Sequence, residues 1–103
     1  MGLPGAISAG EEGIAVNPVT GRVYVTDGPG DRLFVLQDSI TPTNISLVAT
    51  IDNVGDNPQG VAVNPLTNKV YVANARNIDA PYGTVSVVDG ASNVVVKTIP
   101  LGP

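Results

Sequence analysis

The feature that most constrains the fold of this chain is an internal repeat. Residues Gly13–Val25 read GIAVNPVTGRVYV and residues Gly60–Val72 read GVAVNPLTNKVYV, so nine of thirteen positions are identical at a shift of 47 residues, from 13 to 60. The four differences are like-for-like, and they include Gly21 against Asn68, two residue types that tolerate a positive φ. A period of roughly 40 to 50 residues is typical of β-propeller blades and of other repeat arrays.

The match continues beyond these thirteen positions, with insertions between the matched stretches. Arg32–Asp38 corresponds to Gly83–Asp89, after a loop that is four residues longer in the second copy, and Leu47–Ile51 corresponds to Val95–Ile99. Insertions at loops are expected where two copies share a scaffold. We therefore divide the chain into an N-terminal segment 1–12, a first repeat 13–59 and a second repeat 60–103.

Each repeat predicts four strands. The expected strands are 13–16, 23–26, 33–37 and 46–52 in the first copy, and 60–63, 70–74, 84–88 and 94–99 in the second. Asn17–Gly21 and Asn64–Asn68 predict tight turns with Pro at the second position and a left-handed residue at the end. Asp89–Asn93 predicts the same turn between the third and fourth strands, and Asp38–Asn44 predicts a longer version.

The predicted strands are apolar on both faces, which indicates sheets that are covered on both sides. We therefore expect an all-β fold of two four-stranded antiparallel β-propeller blades, since each blade of a propeller packs between two neighbours. Two blades alone leave two outer faces open, and the sequence has no polar capping face. Self-association is expected to close a ring of six blades as a trimer, which we favour, or of eight as a tetramer. Segment 1–12 is expected to pair with a neighbouring blade.

The residues that carry the repeat resemble the YVTN-type β-propeller repeat, which is named for a Tyr-Val-Thr-Asn core. That core reads YVTD at Tyr24–Asp27 and YVAN at Tyr71–Asn74, and Gly83–Gly102 is similar to the second half of the family's repeat. The resemblance implies propeller blades and brings no catalytic residues. It also implies an extracytoplasmic or cell-surface location, because the family occurs in archaeal and bacterial surface-layer proteins.

Composition argues against several classes of function. The chain has no His and no Cys, which excludes a Ser-His-Asp triad, His-ligated zinc or haem, and disulfides within one chain. Nine acidic and five dispersed basic residues give a net charge of −4, which disfavours nucleic acid and anionic membranes as partners. No apolar run approaches the roughly 20 residues of a membrane-spanning helix. We predict no enzymatic activity, no cofactor and no membrane insertion.

The predicted partner-binding surface is the long loop 74–83. It joins the second and third strands of the second copy, so it should lie at the same end of the fold as loop 53–60. Its Arg76, Asp79 and Tyr82 are candidate contacts for a protein or carbohydrate partner, because loops on a rigid scaffold often carry binding residues.

Other polar motifs have structural interpretations. Asp27–Asp31 places two carboxylates in a Gly-rich segment, but the spacing matches no standard calcium loop, so we interpret it as a solvated turn. Asn17 and Asn64 are expected to bond the turn backbone. Tyr24 and Tyr71 are expected to pack in the core or between blades with their hydroxyls at the rim.

The sequence thus predicts a structural or interaction module whose product is a propeller ring, with any binding through loops on one face. Two alternatives stay open. The chain is a fragment or an engineered unit of propeller assembly without a selected activity, or it is an enzyme or metal-binding propeller with a site on the central axis.

Overall fold

A computed structural model describes residues 13–39 and 44–103, which form eight strands and no helix. The strands are β1 Ile14–Asn17, β2 Arg22–Asp27, β3 Arg32–Asp38, β4 Ile45–Ile51, β5 Pro58–Asn64, β6 Lys69–Asn74, β7 Thr84–Asp89 and β8 Val94–Pro100. The all-β prediction is confirmed, and every predicted strand lies within two residues of an observed one. The expected pairing of segment 1–12, and residues 40–43 of the longer turn, lie outside the described residues.

The strands form two four-stranded antiparallel sheets that have the same topology. Sheet 1 has the order β1-β2-β3-β4 and sheet 2 the order β5-β6-β7-β8. The register also repeats, since Val16 lies opposite Val23 as Val63 lies opposite Val70. The predicted pair of four-stranded sheets is therefore confirmed.

The tight turns close as their sequences predict. Gly21 has φ 76° and Asn68 has φ 54°, and the Gly21 amide donates to the Asn17 carbonyl at 2.8 Å. Asn93, which ends the turn between β7 and β8, has φ 57°. Gly and Asn tolerate this left-handed conformation better than other residues, which is why the repeat can exchange one for the other.

The predicted correspondence between β3 and β7, the third strands of the two copies, was wrong by one residue. Val35 lies opposite Tyr24 and Val87 lies opposite Tyr71, so Arg32 corresponds to Thr84 and not to Gly83. Gly83 instead closes the loop before β7 with φ 83°. The shift between copies grows from 47 to 52 residues across this loop, so the second loop is five residues longer.

Each sheet has two unlike faces, which we name by their β2 or β6 residues. The Tyr face carries Tyr24 in sheet 1 and Tyr71 in sheet 2, and the Val face carries Val23 and Val25, or Val70 and Val72. Cross-strand partners share a face, so the register assigns every strand residue to one of them.

The core lies between the Tyr face of sheet 1 and the Val face of sheet 2. Its buried members come from both sheets and from the segment that joins them: Tyr24, Leu33, Val35, Ile51, Val54, Val70, Val72 and Val88. The sheets approach most closely where β1 and β2 lie against β5. The two packed sheets therefore form a wedge whose narrow side lies at β1 and β5.

Side-chain hydrogen bonds of Thr26 and Asn17 cross between the sheets. The Thr26 hydroxyl donates to the Gln59 carbonyl at 2.7 Å, and the Asn17 amide donates to Asn68 Oδ1 at 3.2 Å. Both Thr26 and Asn17 are fully buried. These bonds fix the position of one sheet on the other in a contact whose buried side chains are mostly apolar.

Candidate functional site

The long loop of the second copy lies at the end predicted for it. The Ala75 amide donates to the Asn57 carbonyl at 3.1 Å, and the Asn77 side-chain amide donates to Asp56 Oδ2 at 2.5 Å. These bonds join segment 75–83 to segment 52–57. We name the surface formed by 28–31, 52–57 and 75–83 the loop end.

Asn77, which the sequence analysis did not single out, organises this loop. Its Oδ1 accepts from the backbone amides of Asp79 at 2.9 Å and Ala80 at 2.7 Å, and its backbone amide donates to the Ala80 carbonyl. Asn commonly bonds the backbone two residues ahead, so Asn77–Asp79 is a turn signal in retrospect.

The three candidate contact residues are exposed on this ordered loop. Arg76, Asp79 and Tyr82 all face solvent, and Tyr82 is 59% exposed. Ile78 beside them is 95% exposed. The structure thus brings these residues to one surface that includes an apolar side chain, and their role in binding stays a prediction.

The two carboxylates of the Gly-rich turn, Asp27 and Asp31, accept hydrogen bonds from other groups of the chain. Asp27 Oδ2 accepts from Arg32 Nε at 3.0 Å and Nη2 at 2.5 Å, and Asp31 Oδ1 accepts from the Asn57 amide at 2.8 Å. Asp27 is buried, so its interpretation as part of a solvated turn was wrong. Residues 13–39 and 44–103 contain no group of three or more ligand side chains placed to hold a metal ion.

The two Asn residues that precede Pro bond the turns as predicted. Asn17 Oδ1 accepts from the Val19 amide at 3.0 Å, and Asn64 Oδ1 accepts from the Leu66 amide at 3.1 Å. Their side chains therefore have a structural task at the end opposite the loop end.

The two repeat tyrosines occupy different environments. Tyr24 is fully buried between the sheets, and its hydroxyl has no hydrogen-bond partner among the described residues, so the expected position at the rim was wrong. Burial raises the pKa of Tyr24, and the positive charge of Arg22 opposes that shift. Tyr71, its equivalent, is 37% exposed on the uncovered side of sheet 2.

This uncovered Tyr face of sheet 2 is an apolar surface. Around Tyr71 it contains a hollow of about 310 Å³, which is lined by Gly60, Val61, Ala62, Tyr71, Ala73 and Val85. Val87 and Ile99 share the face by their register. The opposite side of the same sheet is filled by the core, so only one face of sheet 2 is open.

At the edge of this face, Lys69 Nζ lies 3.3 Å from Asp89 Oδ1. Hydrogen bonds from Ser92 and then from Lys69 hold the pKa of Asp89 below its ordinary value. The pair is solvent-exposed, and exposed pairs contribute little to stability. We read it as a polar border of the apolar face.

The Val face of sheet 1 lies outside the core and is exposed along β1. Ile14 and Val16 are 69% and 54% exposed, and Val23 and Val25 of the next strand are half-buried. Phe34 of the same face is buried, with the Arg32 guanidinium 5.1 Å from its ring centroid. Each sheet therefore has one apolar face outside the core, which we call its open face. That of sheet 1 is exposed along β1 and covered around Phe34, and the two open faces are of different kinds.

Comparison with protein-family models found no match, and comparison with curated proteins found no relative of significant similarity. The described residues include no helix of the length and apolarity needed to cross a membrane.

The sequence predicts two uncovered outer faces, but it did not identify them as the Val face of sheet 1 and the Tyr face of sheet 2. The identities were readable in principle, because Tyr24 and Val25 alternate along one strand as Tyr71 and Val72 do along its copy. What the sequence does not contain is the stacking order, which decides which copy buries its Tyr face.

Proposed function

We propose that this chain is a structural module that associates with itself head to tail, so that its two sheets serve as blades of a β-propeller closed by three chains. The observation that carries the proposal is the contact between the two sheets. It joins unlike faces of two equivalent sheets, and it leaves one face of each kind open.

A contact of this kind repeats. An interface between unlike patches is heterologous, so a second chain can add to the first in the same way, and a third to the second. Here the open Tyr face of sheet 2 would receive the open Val face of sheet 1 from a second copy. Each chain then supplies one face and uses the other.

The open Tyr face keeps the chemistry of the buried one. Five residues on the covered Tyr face of sheet 1 are matched by identical residues on sheet 2: Ala15, Asn17, Tyr24, Val35 and Ile51 by Ala62, Asn64, Tyr71, Val87 and Ile99. A face that is built like a buried interface, yet lies open, indicates a site of association.

The open Val face of sheet 1 is equally apolar. The residues Val61, Val63, Val70, Val72 and Val88 that sheet 2 turns to the core are matched in sheet 1 by Ile14, Val16, Val23, Val25 and Leu36. Apolar side chains therefore remain at all five positions. Pairing the two open faces would remove this apolar surface from water, which stabilises the contact by about 25 cal/mol for each Å² buried.

The wedge shape of the unit favours a ring over a straight stack. The sheets are closest at β1, β2 and β5, so each added sheet turns about that side. Constant rotation leads to closure with β1 and β5 innermost, as in a propeller. Six sheets require three chains, and eight sheets require four.

In such a ring every copy of the loop end lies on one side. A protein or carbohydrate partner would then meet several copies of the loop carrying Arg76, Asp79 and Tyr82, which gains affinity through multivalency. The function we propose is therefore an assembled scaffold with its binding surface at the loop end.

The test is the native mass, measured by light scattering over a range of protein concentrations. We expect three times the chain mass of 10.5 kDa for the wild type. Tyr71→Glu places a charge in the open Tyr face and should give a folded monomer, because burying an unpaired charge is costly.

The matched control is Leu66→Glu. Leu66 is 94% exposed in a turn outside both open faces, so the same charge there should leave the mass unchanged. A wild-type chain that stays a stable monomer at every concentration would contradict the proposal.

A further inference from the structure

We infer that a second copy docks on the Tyr face of sheet 2 in the register that sheet 2 has on sheet 1 within the chain, and that this contact between chains lacks the Thr26–Gln59 and Asn17–Asn68 hydrogen bonds of the internal one. The inference rests on the proposed self-association. It adds the register of the contact between chains, and it predicts that this contact is weaker than the contact between the two sheets of one chain.

The first missing bond is that of Thr26. Within the chain, the Thr26 hydroxyl donates to the Gln59 carbonyl at 2.7 Å, and it accepts from the Gly13 amide at 2.7 Å. The equivalent residue of sheet 2 is Ala73, which lies opposite Gly60 as Thr26 lies near Gly13. Ala73 has no hydroxyl, so it cannot bond the backbone of an incoming copy.

The second missing bond is that between Asn17 and Asn68, at 3.2 Å within the chain. The equivalents at the contact between chains are Asn64 of one copy and Gly21 of the next. Gly21 has no side chain to accept the Asn64 amide. Ala73 lies on the sheet that receives the next copy and Gly21 lies on the incoming sheet, so each side of the contact between chains lacks one of the bonding side chains.

A steric feature identifies the register. Gly13 lies so close to β5 that a Cβ there would meet the Gln59 carbonyl oxygen at 2.8 Å and Gly60 Cα at 3.4 Å. Its equivalent, Gly60, faces open space within the chain, since the nearest atom to a Cβ there is Ala73 Cβ at 3.9 Å. In the inferred register, Gly60 would meet the backbone around Gly13 of the second copy.

The consequence is an assembly that separates into whole chains. Two hydrogen bonds at about 1 kcal/mol each correspond to a difference of roughly thirtyfold in an equilibrium constant. We therefore expect the ring to dissociate on dilution before the two sheets of a chain separate.

Gly60→Ala tests the register. The extra methyl group fits within the chain, so the protomer should stay folded with an unchanged melting temperature when dilute. The added Cβ would clash in the inferred contact, so the concentration for half-assembly should rise at least tenfold. Its equivalent Gly13→Ala should instead lower the melting temperature of the dilute protomer.

Ala73→Thr tests the first missing bond. It restores the residue found at the internal contact, and it should lower the concentration for half-assembly about fivefold. Ala73→Val is the matched control, because it has the same shape as Thr without a hydroxyl, and it should not reproduce the gain.

The outcomes separate this inference from the proposed function. A wild-type chain that is monomeric at all concentrations contradicts both. A wild-type oligomer that Gly60→Ala leaves intact, or that gains no more from Ala73→Thr than from Ala73→Val, overturns the register and keeps the self-association.

Discussion

At the residue scale, Tyr24 shows how the same amino acid acquires different properties in the two copies. It is fully buried, whereas Tyr71 at the equivalent position is partly exposed. Alternation along the strand predicts that each Tyr shares a face with apolar neighbours, but not how deep its hydroxyl lies. That depth depends on the sheet stacked above it, which belongs to tertiary structure.

Tyr24→Phe should raise the free energy of unfolding by about 1 kcal/mol at pH 7. The hydroxyl is buried without a partner among the described residues, and an unsatisfied polar group of this kind costs about 1–3 kcal/mol. Chemical denaturation at a fixed protein concentration measures the change. Tyr82→Phe, on the exposed loop, is the control and should change stability by less than about 0.5 kcal/mol.

The same variant should behave differently in alkali. Because burial raises the pKa of Tyr24, the folded state keeps its proton while the unfolded state ionises near the ordinary value of about 10. The wild type should therefore lose stability as the pH rises from about 10 through the folded-state pKa, and Tyr24→Phe should lack this part of the loss. A destabilised Phe variant at pH 7 would show that the hydroxyl has a bonding partner.

At the element scale, most of the sheet structure was predictable from the sequence. The tight turns begin at Asn or Asp and end at Gly or Asn, as at Asn17–Gly21 and Asp89–Asn93, and these signals place strand ends to within two residues. The alignment of β3 with β7 failed by one residue, because Gly83 was counted as a strand residue. Its positive φ assigns it to the loop, which is a backbone property that residue matching does not detect.

The connection between the sheets depends on a compact polar group. The Asn74 amide donates to the Thr84 and Ser86 hydroxyls at 3.0 and 2.9 Å, and Ser86 donates to the Val54 carbonyl at 2.6 Å. These bonds tie β6 and β7 to the segment that leads out of sheet 1. The Asn74 side chain lies directly against Gly55, where any Cβ would overlap it.

Gly55→Ala should therefore lower the free energy of unfolding by about 2 kcal/mol, the usual cost of overpacking. In an Asn74→Ala background the same substitution should cost less than about 0.5 kcal/mol, because the overlapping group is gone. Denaturant unfolding of the four chains gives the coupling between the two positions. Additive effects would show that Gly55 is needed for another reason.

At the scale of the whole molecule, the sequence predicts that two faces are uncovered, but it does not predict that these two faces are of different kinds. The repeat and its apolar strands predict that two sheets are too few. The register, and the burial of Tyr24 where Tyr71 is exposed, show that the open faces are one Tyr face and one Val face. An isologous dimer would bury like against like and would leave this difference between the faces unused.

A tandem chain of two copies joined end to end should distinguish a ring of six sheets from a ring of eight. Four sheets per chain cannot close six, so the tandem alone should form larger, mixed species. Adding one equivalent of the single chain should convert them to a complex of one tandem and one single chain, with the mass of three 10.5 kDa units. Native mass spectrometry measures both states. If the tandem alone instead forms a uniform dimer, the ring has eight sheets and the single chain assembles as a tetramer, because closure depends only on the number of sheets.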